Sequence, residues 1–309
     1  MPLVNSMDEN PKKQALIWSL IVLLALIWGS SFLVLKRVLV VFSPLQVFSG
    51  RMFFATLVLM PVALRQVSRI SLNHWPPLMA MAIIANFATT LLNAIAQTKL
   101  DSSLAGILNT LTPLMTLGVG AAFYQQTINR FQLGGILVGL VATAALLVID
   151  FGGVKWLNLN AFGLFVLAAT LCMGLTNNII KFNLQGLSIL QIASVSFLLI
   201  FPVAVGFGFV TNFFETALAP QNFQRETLYL VFLGVFSNAL ALLIMAKIIQ
   251  LSGPVTASLV TYLIPVVAVL WGWWDGELIS AFSIAVMIII LLSLYVVNRN
   301  RGGKQHEEE

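Results

Sequence analysis

The sequence predicts an all-α integral membrane protein with ten transmembrane helices, arranged as two inverted five-helix repeats. Of its 309 residues, 59% are hydrophobic and 9% are charged, and the mean hydropathy is +0.97. A soluble domain could not hide so much apolar surface in one core, so a membrane class follows. Two further observations support the prediction: a series of apolar runs of membrane-spanning length, and a duplication of the chain.

The duplication is visible in two similar heptapeptides at residues 43–49 and 188–194, which lie 145 positions apart and share four of their seven residues. At the same offset Gly29 matches Gly174 and Lys36 matches Lys181. Later parts of the halves align at an offset of 152, where the matching pairs are Asn86 with Asn238, Ala105 with Ala257, Leu111 with Leu263, and Pro113 with Pro265. Five spans per half is an odd number, so the second half is expected to be inverted in the membrane.

The first five apolar runs lie at residues 15–37, 44–64, 76–97, 102–124 and 129–149. The first follows a polar stretch without a small-residue cleavage pattern, so we expect an uncleaved helix. The second begins with the first heptapeptide, and the third contains regularly spaced amides. The fourth contains Pro113. The fourth and fifth runs are closely spaced, so the boundary between them is left open. Each run has about the ~20 residues that cross a ~30 Å hydrocarbon layer as a helix.

The second five runs lie at residues 160–182, 189–211, 227–249, 254–274 and 279–297. The sixth contains the polar triplet 176–178, the seventh begins with the second heptapeptide, and the ninth contains Pro265. A long polar connection between residues 211 and 226 precedes the eighth run. The offsets of 145 and 152 differ by seven, so the second half has an insertion of seven residues, and this connection is its expected place.

The charged residues predict the orientation. With the N-terminus inside, the Lys and Arg residues assigned to the cytoplasmic side are Lys12, Lys13, Arg65, Arg69, Arg130, Lys181, Lys247, Arg299, Arg301 and Lys304, and those assigned outside are Lys36, Arg37, Lys99, Lys155 and Arg225. This excess favours both termini in the cytoplasm. The predicted organisation is an N-terminal tail at 1–14, repeats at 15–149 and 160–297 joined by a linker at 150–159, and a C-terminal tail at 298–309.

Several motifs give the chain a family resemblance. The early ones are Trp28-Gly29-Ser30-Ser31-Phe32, Lys36, Ser43-Pro44 and Arg51, and the later ones are residues 101–105 with Pro113, residues 132–135 with Gly139, and Gly276-Glu277. In this order they resemble the EamA-type drug/metabolite transporters over nearly the whole chain. The resemblance implies ten helices in two inverted repeats and passage of small metabolites, often amino acids leaving a bacterial cell. Tyr124-Gln125 departs from the Gly-Glu pair that the family often has in the first half.

A polar side chain at membrane depth is costly unless it faces a partner or a wet cavity. Asn86, Asn93 and Gln97 fall on one face of the third predicted helix, with Thr90 nearby. We expect this stripe to bind substrate together with Asn238, since the repeat should bring Asn86 and Asn238 close together. The alternative is that these amides join helices as packing contacts.

Further candidates for substrate binding are Asn177, Tyr262, Trp28 and Trp271. Asn177 and its neighbour Asn178 differ by about 100° around a helix, so one is expected to face the cavity and the other to pack. The tryptophans offer a flat apolar wall and one N–H donor. An interfacial or lipid-facing position is the alternative for both tryptophans.

Four residues are candidates for gating or for the mouths of the pathway. Pro113 and Pro265 free a backbone carbonyl and kink a helix, which can either gate a path or fix a bend. Lys36 and Lys181 lie at equivalent helix ends and could attract a carboxylate, or anchor those ends by snorkelling. Arg51 lies deeper, and for it we expect a paired structural role.

The function predicted is a secondary transporter for a small, amino-acid-like metabolite. Export is the direction that the family resemblance implies. Alternating access as a facilitator or exchanger is expected, because the acidic residues Asp101, Asp150, Asp275 and Glu277 lie at helix ends, away from the midplane. Amide groups and aromatic walls suit a net-neutral solute. A multidrug or other metabolite efflux carrier, and a membrane scaffold without transport, are the alternatives.

Other classes are disfavoured. The two histidines, His74 and His306, lie in a loop and a tail, so neither an enzyme nor a metal site is expected. No phosphate-binding loop is found for an ATP-driven pump, and no cofactor is expected. The basic residues are scattered, so nucleic acid is not an expected partner. The expected partners are the lipid bilayer and the solute, in a bacterial inner membrane. The oligomeric state is left open, and a monomer is compatible with the sequence.

Overall fold

The computed structural model describes residues 11–148, 161–219 and 225–299, and within these ranges it contains helices and no strand. Seven helices are long and apolar enough to cross a membrane by length and composition, and three shorter apolar helices accompany them. The predicted class of integral membrane protein is therefore supported, and the count of ten spans stays a prediction. The linker 150–159 with Asp150, the chain before residue 11 and the chain after residue 299 lie outside the described residues.

In the first half the helices are α1 (Pro11–Val38), α2 (Pro44–Val67), α3 (Leu72–Gln97), α4 (Ser102–Tyr124) and α5 (Arg130–Val148). In the second half they are α6 (Ala161–Asn183), α7 (Ile189–Val210), α8 (Phe213–Leu218), α9 (Glu226–Gly253), α10 (Val260–Trp274) and α11 (Ala281–Arg299). Helix α1 begins four residues before the predicted span. The short α8 lies within the connection that the sequence presented only as polar.

Both heptapeptides form helix N-termini. At the start of α2 the backbone N–H of Gln46 donates to Ser43 Oγ, and the backbone N–H of Ser43 donates to Gln46 Oε1 across 2.9 Å. At the start of α7 Ser188 and Gln191 form the same reciprocal pair. This capping box satisfies two backbone donors that would otherwise lack partners. The repeated Ser and Gln therefore have a structural role at the ends of both helices.

Three of the long helices are irregular inside. Helix α3 contains a π-helical segment, Ala82–Ala88, and α9 contains another, Phe232–Leu240. Helix α4 is interrupted at Thr110 and Leu111, between Ser102–Asn109 and Thr112–Tyr124. Helix α9 ends in a kink at Gly253, where φ is 79° and ψ is 170°, and helical residues continue to Ala257. The ninth predicted span therefore begins at Val260, six residues later than expected.

Two glycines allow close helix packing at equivalent positions of the halves. A Cβ on Gly174 of α6 would lie 2.9 Å from the carbonyl carbon of Met115 on α4, so only glycine fits there. A Cβ on Gly29 of α1 would lie 3.0 Å from the carbonyl oxygen of Ile264 and would also meet Val267 on α10. Met115 and Val267 are 152 positions apart, as the duplication requires. Thus α6 packs on α4, and α1 packs on α10.

The core lies between the helices. Its largest apolar cluster includes Ile21, Leu24, Leu108, Leu111 and Val260, which join α1, α4 and α10. Many large apolar side chains are exposed on the outer faces, including those of Leu23, Leu57, Leu137, Val203 and Leu292. Such faces are expected where helices contact lipid chains, so the burial pattern agrees with a membrane protein.

Candidate functional site

The π-helical segment of α3 contains Asn86, the first residue of the predicted stripe. Asn86 is 8% exposed, and its Nδ2 donates a hydrogen bond to Oγ of Ser196 on α7 across 3.3 Å. Segments of π-helix interrupt the regular backbone hydrogen bonding and often occur at functional sites. The stripe therefore begins where α3 of the first half meets α7 of the second half.

The matching segment of α9 contains Asn238. Oδ1 of Asn238 accepts a hydrogen bond from Nη2 of Arg51 on α2 across 2.7 Å. Arg51 and Ser196 are 145 positions apart, and Asn86 and Asn238 are 152 apart, so the two contacts are equivalent in the duplicated sequence. Each asparagine is bonded to the second helix of the other half. The direct approach of Asn86 to Asn238 stays a prediction.

Arg51 is paired, as predicted, but its partner is a neutral amide. Its Nε is buried and has no hydrogen-bond partner in the described part of the chain. The carboxylates within the described ranges are Asp101, Glu215, Glu226, Asp275 and Glu277, and none of them lies within ion-pair distance of the guanidinium. The positive charge therefore has no counter-charge in the described part of the chain.

The other two amides of the stripe have unused hydrogen-bonding capacity. Nδ2 of Asn93 donates to the carbonyl of Thr89 across 2.9 Å, but Oδ1 of Asn93 is buried and none of the described residues bonds to it. Gln97 is 4% exposed, and neither its Oε1 nor its Nε2 has a partner among the described residues. An unpaired buried polar group costs about 1–3 kcal/mol. These amides are therefore poor packing contacts and good candidates for binding a polar solute.

The C-terminal part of α3 packs against α6 and also contacts the first two helices. Ala94, on the same part of α3, is fully buried in a cluster with Leu35 and Val38 of α1 and Val47 of α2. Trp28 of α1 donates from Nε1 to the carbonyl of Ser237 across 3.0 Å, which places its indole beside the residue that precedes Asn238. The structure therefore brings Trp28 near the Arg51–Asn238 pair.

The two aromatic candidates on α10 lie in different surroundings. Tyr262 packs against the largest apolar cluster. Trp271 lies three residues before the end of α10, with its ring 5.1 Å from that of the exposed Trp274. Trp271 itself is half-buried, whereas Trp273 and Trp274 are exposed. Exposed tryptophans at a helix end are typical of a membrane interface, which favours the interfacial alternative for Trp271. A role for either residue in substrate binding stays a prediction.

The two asparagines of α6 both bond to Thr116 of α4. Asn178 is fully buried, and its Nδ2 donates to the carbonyls of Thr116 and Gly174 across 2.8 Å each, while its Oδ1 accepts from Gln126 Nε2. Asn177 is partly buried and donates to Thr116 Oγ1 across 3.0 Å. Asn178 is therefore a packing residue, and Asn177 stays the candidate for facing the cavity.

Lys36 lies in a group of charges at the end of α1. Its Nζ lies 2.7 Å from Glu277 Oε1 and 3.0 Å from Asp275 Oδ2, and Arg37 pairs with Asp275. Glu277 also accepts hydrogen bonds from the backbone N–H groups of Ser102 and Ser103 across 2.9 Å each, and so caps the start of α4. The charge of Lys36 is therefore already compensated, and a role in attracting solute carboxylates stays a prediction.

The loop carboxylates of this group have opposite pKa shifts. Burial acts to raise the pKa of Glu277, but the hydrogen bonds from Lys36, Ser103 and Ser102 outweigh it and hold this pKa at about 2. Burial and the nearby charge of Glu277 raise the pKa of Asp101. Glu277 is therefore ionised at neutral pH and joins α1, α4 and the loop after α10.

Lys181, at the equivalent end of α6, has a neutral partner. Its Nζ lies 3.3 Å from Oε1 of Gln126, which follows α4. Gln125 has a left-handed backbone with φ of 53° after α4, as Gly276 has with φ of 84° after α10, so Gln126 takes the position of Glu277. At the offset of 152, the sequence places Gln125 opposite Glu277, so Gln126 was missed. The left-handed residues Gln125 and Gly276 are 151 positions apart, one fewer than that offset, which shifts the equivalent position from Gln125 to Gln126.

The two prolines lie in different settings. Pro113 follows directly on the interruption of α4, as the second residue of the segment Thr112–Tyr124. Pro265 is buried inside α10. Pro113 therefore coincides with a break in the helix, and gating by either proline stays a prediction. Among the described residues, no group of three or more His, Cys, Asp or Glu side chains could hold a metal ion.

Known proteins resemble the chain along most of its length. The family described as the EamA-like transporter family matches residues 16–148 and 161–299. An S-adenosylmethionine/S-adenosylhomocysteine transporter from Chlamydia muridarum (strain MoPn / Nigg) is 25% identical over 268 residues, which cover 82% of this chain and 82% of the relative. A transporter of the same description from Chlamydia trachomatis serovar L2 is 25% identical over 267 residues, with 82% and 80% covered.

A solved structure, described as the crystal structure of a protein, has a similar fold. Its TM-score to this chain is 0.60 at 17% sequence identity, and the match covers 93% of this chain and 98% of the solved chain. Likeness at this level of identity shows a shared fold.

Proposed function

This chain belongs to the EamA-like transporter family, and from that premise we propose that it moves a small, amino-acid-like metabolite across the membrane by alternating access. In this proposal ten helices form two inverted repeats, both termini lie in the cytoplasm, and the protein exports its solute across a bacterial inner membrane. Family membership and the relatives support a membrane transporter, which is a carrier and not an enzyme.

The observation on which the proposal chiefly depends is the set of unpartnered amide atoms on α3. Asn93 Oδ1 and both polar atoms of the Gln97 side chain are buried without partners among the described residues. A carrier needs donors and acceptors that are free until the solute arrives, because those groups then bind the solute without first breaking protein hydrogen bonds. The Asn86–Ser196 and Arg51–Asn238 contacts extend this polar region to the opposite half.

Alternating access is supported by the repeated contacts between the halves. Gly29 with Val267 and Gly174 with Met115 are equivalent, as are the Lys36–Glu277 and Lys181–Gln126 contacts at the helix ends. A carrier with two related halves can exchange its open and closed ends by moving one half against the other around a fixed site. We propose that the two lysine contacts close opposite ends of the pathway in turn.

The substrate class follows from the chemistry of these groups and from the relatives. S-adenosylhomocysteine, which the Chlamydia relatives are described as transporting, contains a zwitterionic amino-acid end. Amide donors and acceptors suit such a group, and the indole of Trp28 suits an attached apolar or aromatic part. We propose a solute with an amino-acid end, and S-adenosylhomocysteine and methionine are the first test compounds.

Facilitated diffusion or exchange fits the distribution of acidic residues. The described carboxylates lie in loops, in the short α8 or at the first residue of α9. A proton-coupled carrier typically has a carboxylate inside the membrane-spanning part of the protein. A transport rate that requires an imposed pH gradient would contradict this part of the proposal.

Counterflow in proteoliposomes tests the function directly. Vesicles that contain the purified protein are loaded with unlabelled S-adenosylhomocysteine or one of a panel of amino acids, and entry of the labelled compound is followed. We expect transient accumulation for at least one solute with an amino-acid end. Absence of counterflow for the whole panel, with the protein shown to be folded, would refute the proposed substrate class.

The amide site is tested with Asn86→Ala and Asn238→Ala. Loss of one hydrogen bond to the solute should lower the rate by about 2- to 10-fold. The matched control is Asn183→Ala, because Asn183 lies at the end of α6, where it accepts a hydrogen bond from the Tyr124 hydroxyl. Normal transport by both test variants at equal reconstitution would exclude Asn86 and Asn238 from the solute site.

A further inference from the structure

We propose that Arg51, oriented by Asn238, binds the carboxylate of the transported solute. This inference rests on the proposed transport function and adds the residue that recognises one chemical group of the substrate. It starts from the contact between Arg51 Nη2 and Asn238 Oδ1 at 2.7 Å, inside the membrane-spanning helices α2 and α9.

The duplicated sequence contains an internal control for this contact. At the equivalent place of the other half, Ser196 contacts Asn86, and a serine hydroxyl is sufficient to join α7 to α3. Packing alone would therefore be served by serine at position 51. The chain has an arginine there, which differs from serine in having a permanent positive charge and several hydrogen-bond donors.

This charge is not neutralised by the described part of the chain. Lys36 shows how the protein pairs a cation within the chain, because Asp275 and Glu277 both lie within 3.0 Å of its Nζ. Among the described residues the only hydrogen-bond partner of the Arg51 side chain is the neutral amide of Asn238, and Nε of Arg51 is buried without a partner. A cation at membrane depth without a counter-charge costs free energy. An anionic group of the solute would supply the counter-charge and offset this cost.

The remaining donors suit a carboxylate. One Nη2 hydrogen is directed to Asn238, which fixes the plane of the guanidinium. The Nε and the other terminal hydrogens are left, and a guanidinium binds a carboxylate through two parallel N–H donors. The side chain of Asn238 also has the donor Nδ2, and Asn238 follows Ser237, whose carbonyl accepts from Trp28. The indole is thus placed to contact the solute beside its carboxylate.

The depth of the pair agrees with a central site. Arg51 is seven residues from the start of α2, about 10 Å along the helix, and Asn238 is twelve residues from the start of α9, about 18 Å. A site at this depth in a ~30 Å layer lies away from the mouths. The carboxylate is therefore bound in the pathway and not merely attracted at its entrance.

The experiment measures binding separately from transport. The purified full-length protein is titrated in nanodiscs with three pairs of probes, and the melting temperature is followed by tryptophan fluorescence. The pairs are methionine with methioninamide, phenylalanine with phenylalaninamide, and S-adenosylhomocysteine with 5′-methylthioadenosine, which lacks the amino-acid end. We expect wild-type protein to bind at least one acid about 10- to 100-fold more tightly than its partner without the carboxylate.

Arg51→Ser is the principal variant, because it reproduces the Ser–Asn contact of the other half. We expect it to lose the preference for the acid, with a ratio near one. Arg51→Lys keeps the charge but not the paired donors, and should keep a reduced preference. Ser194→Ala is the control, since it removes a buried hydroxyl of α7 that donates to the carbonyl of Gln191 in the same helix, and it should keep the wild-type ratio.

The outcomes separate the two proposals. A full acid preference in Arg51→Ser, or no preference in wild-type protein for any pair, overturns the role of Arg51. If Arg51→Ser does not fold, an undiminished preference in Arg51→Lys overturns it in the same way. A wild-type preference that depends on Arg51, found together with absence of counterflow, supports the carboxylate site and refutes the transport function alone.

Discussion

Lys36 donates a hydrogen bond to Glu277 across 2.7 Å and so joins the end of α1 to the loop after α10. Glu277 in turn accepts from Ser102 and Ser103 at the start of α4. At the equivalent place of the other half, Lys181 meets the neutral Gln126 at 3.3 Å. One of the two lysine contacts is thus an ion pair, whereas the other joins a cation to a neutral amide, which makes the former the stronger of the two.

Glu277→Gln should weaken this end of the molecule. The variant keeps the shape of the side chain but loses the ionic part of its bonds to Lys36, Ser102 and Ser103, which costs about 1–2 kcal/mol with the partial exposure of Lys36 taken into account. We expect a melting temperature several degrees lower than that of the wild type. Glu215→Gln is the control, because Glu215 is exposed on α8. Equal melting temperatures for wild type and Glu277→Gln would show that the network does not stabilise the protein.

The same glutamate predicts a dependence of stability on pH. The pKa of Glu277 is held at about 2 in the folded protein, below its ordinary value of 4.5. Its contribution to stability is therefore complete above about pH 4.5 and is lost as the pH falls towards 2. The raised pKa of Asp101 acts in the opposite sense, so the difference between wild type and Glu277→Gln is the informative quantity. That difference, from melting curves between pH 7 and pH 3, should shrink with acidification, and a constant difference would contradict the assignment.

Asn178 and Asn177 should behave differently although they are neighbours. Asn178→Ala removes two donated bonds and one accepted bond from a fully buried position, and we expect a loss of about 1–3 kcal/mol and little folded protein. Asn177→Ala removes one bond to Thr116 and should remain folded. Fluorescence-detected size-exclusion chromatography after heating distinguishes the two. The reverse order of stability would contradict the packing described for α6.

Gly174→Ala tests the close approach of α6 to α4. The added Cβ would lie 2.9 Å from the carbonyl carbon and 3.0 Å from the oxygen of Met115, which are backbone atoms and cannot move aside as a side chain can. Overpacking of this kind costs about 1–3 kcal/mol. Gly118→Ala is the matched control on α4, because a Cβ there meets nothing within 4 Å. We expect a lower melting temperature for Gly174→Ala and an unchanged or higher one for Gly118→Ala.

Much of the fold could be predicted because a membrane-spanning helix is recognisable from the length and apolar composition of its sequence. The capping boxes at Ser43 and Ser188 were present as repeated letters, and the offsets of 145 and 152 anticipated which residues share a role. The π-helical segments could not be predicted, since no residue pattern marks the extra residue in a helical turn. The break before Pro113 was signalled by the proline, but the position of the kink at Gly253 was not.

The candidate site was predicted only in part. The amides of α3 were identified from their spacing, whereas the partner of each depends on how helices of opposite halves meet. Ser196 lies at the offset of 145 from Arg51, so the duplication indicates a shared position. Serine is common in membrane helices, however, and its residue type alone does not mark a site. The pairing of Lys36 with Glu277 joins residues 241 positions apart, which only the packing of α1 on α10 brings together.

We expect the Gln97 side chain to lower the stability of the folded protein and to support solute binding. Its side chain is 4% exposed, and both of its amide atoms lack partners among the described residues, so the folded protein bears a cost of about 1–3 kcal/mol. Gln97→Met has nearly the same volume without the polar atoms and should raise the melting temperature by a few degrees. If the amide binds solute, counterflow should fall in the same variant, which is the usual relation between stability and activity at a binding site.

The control for this prediction is Gln46→Met, because the same change is made where the amide is fully used. Gln46 donates from Nε2 to the carbonyl of Thr211 across 2.8 Å and to Thr216 Oγ1 across 3.2 Å, and accepts from the backbone N–H of Ser43. Its replacement leaves these groups unpaired and should lower the melting temperature. A Gln97→Met variant that is less stable than wild type, as Gln46→Met is expected to be, would mean that Gln97 serves packing and that the solute path lies elsewhere.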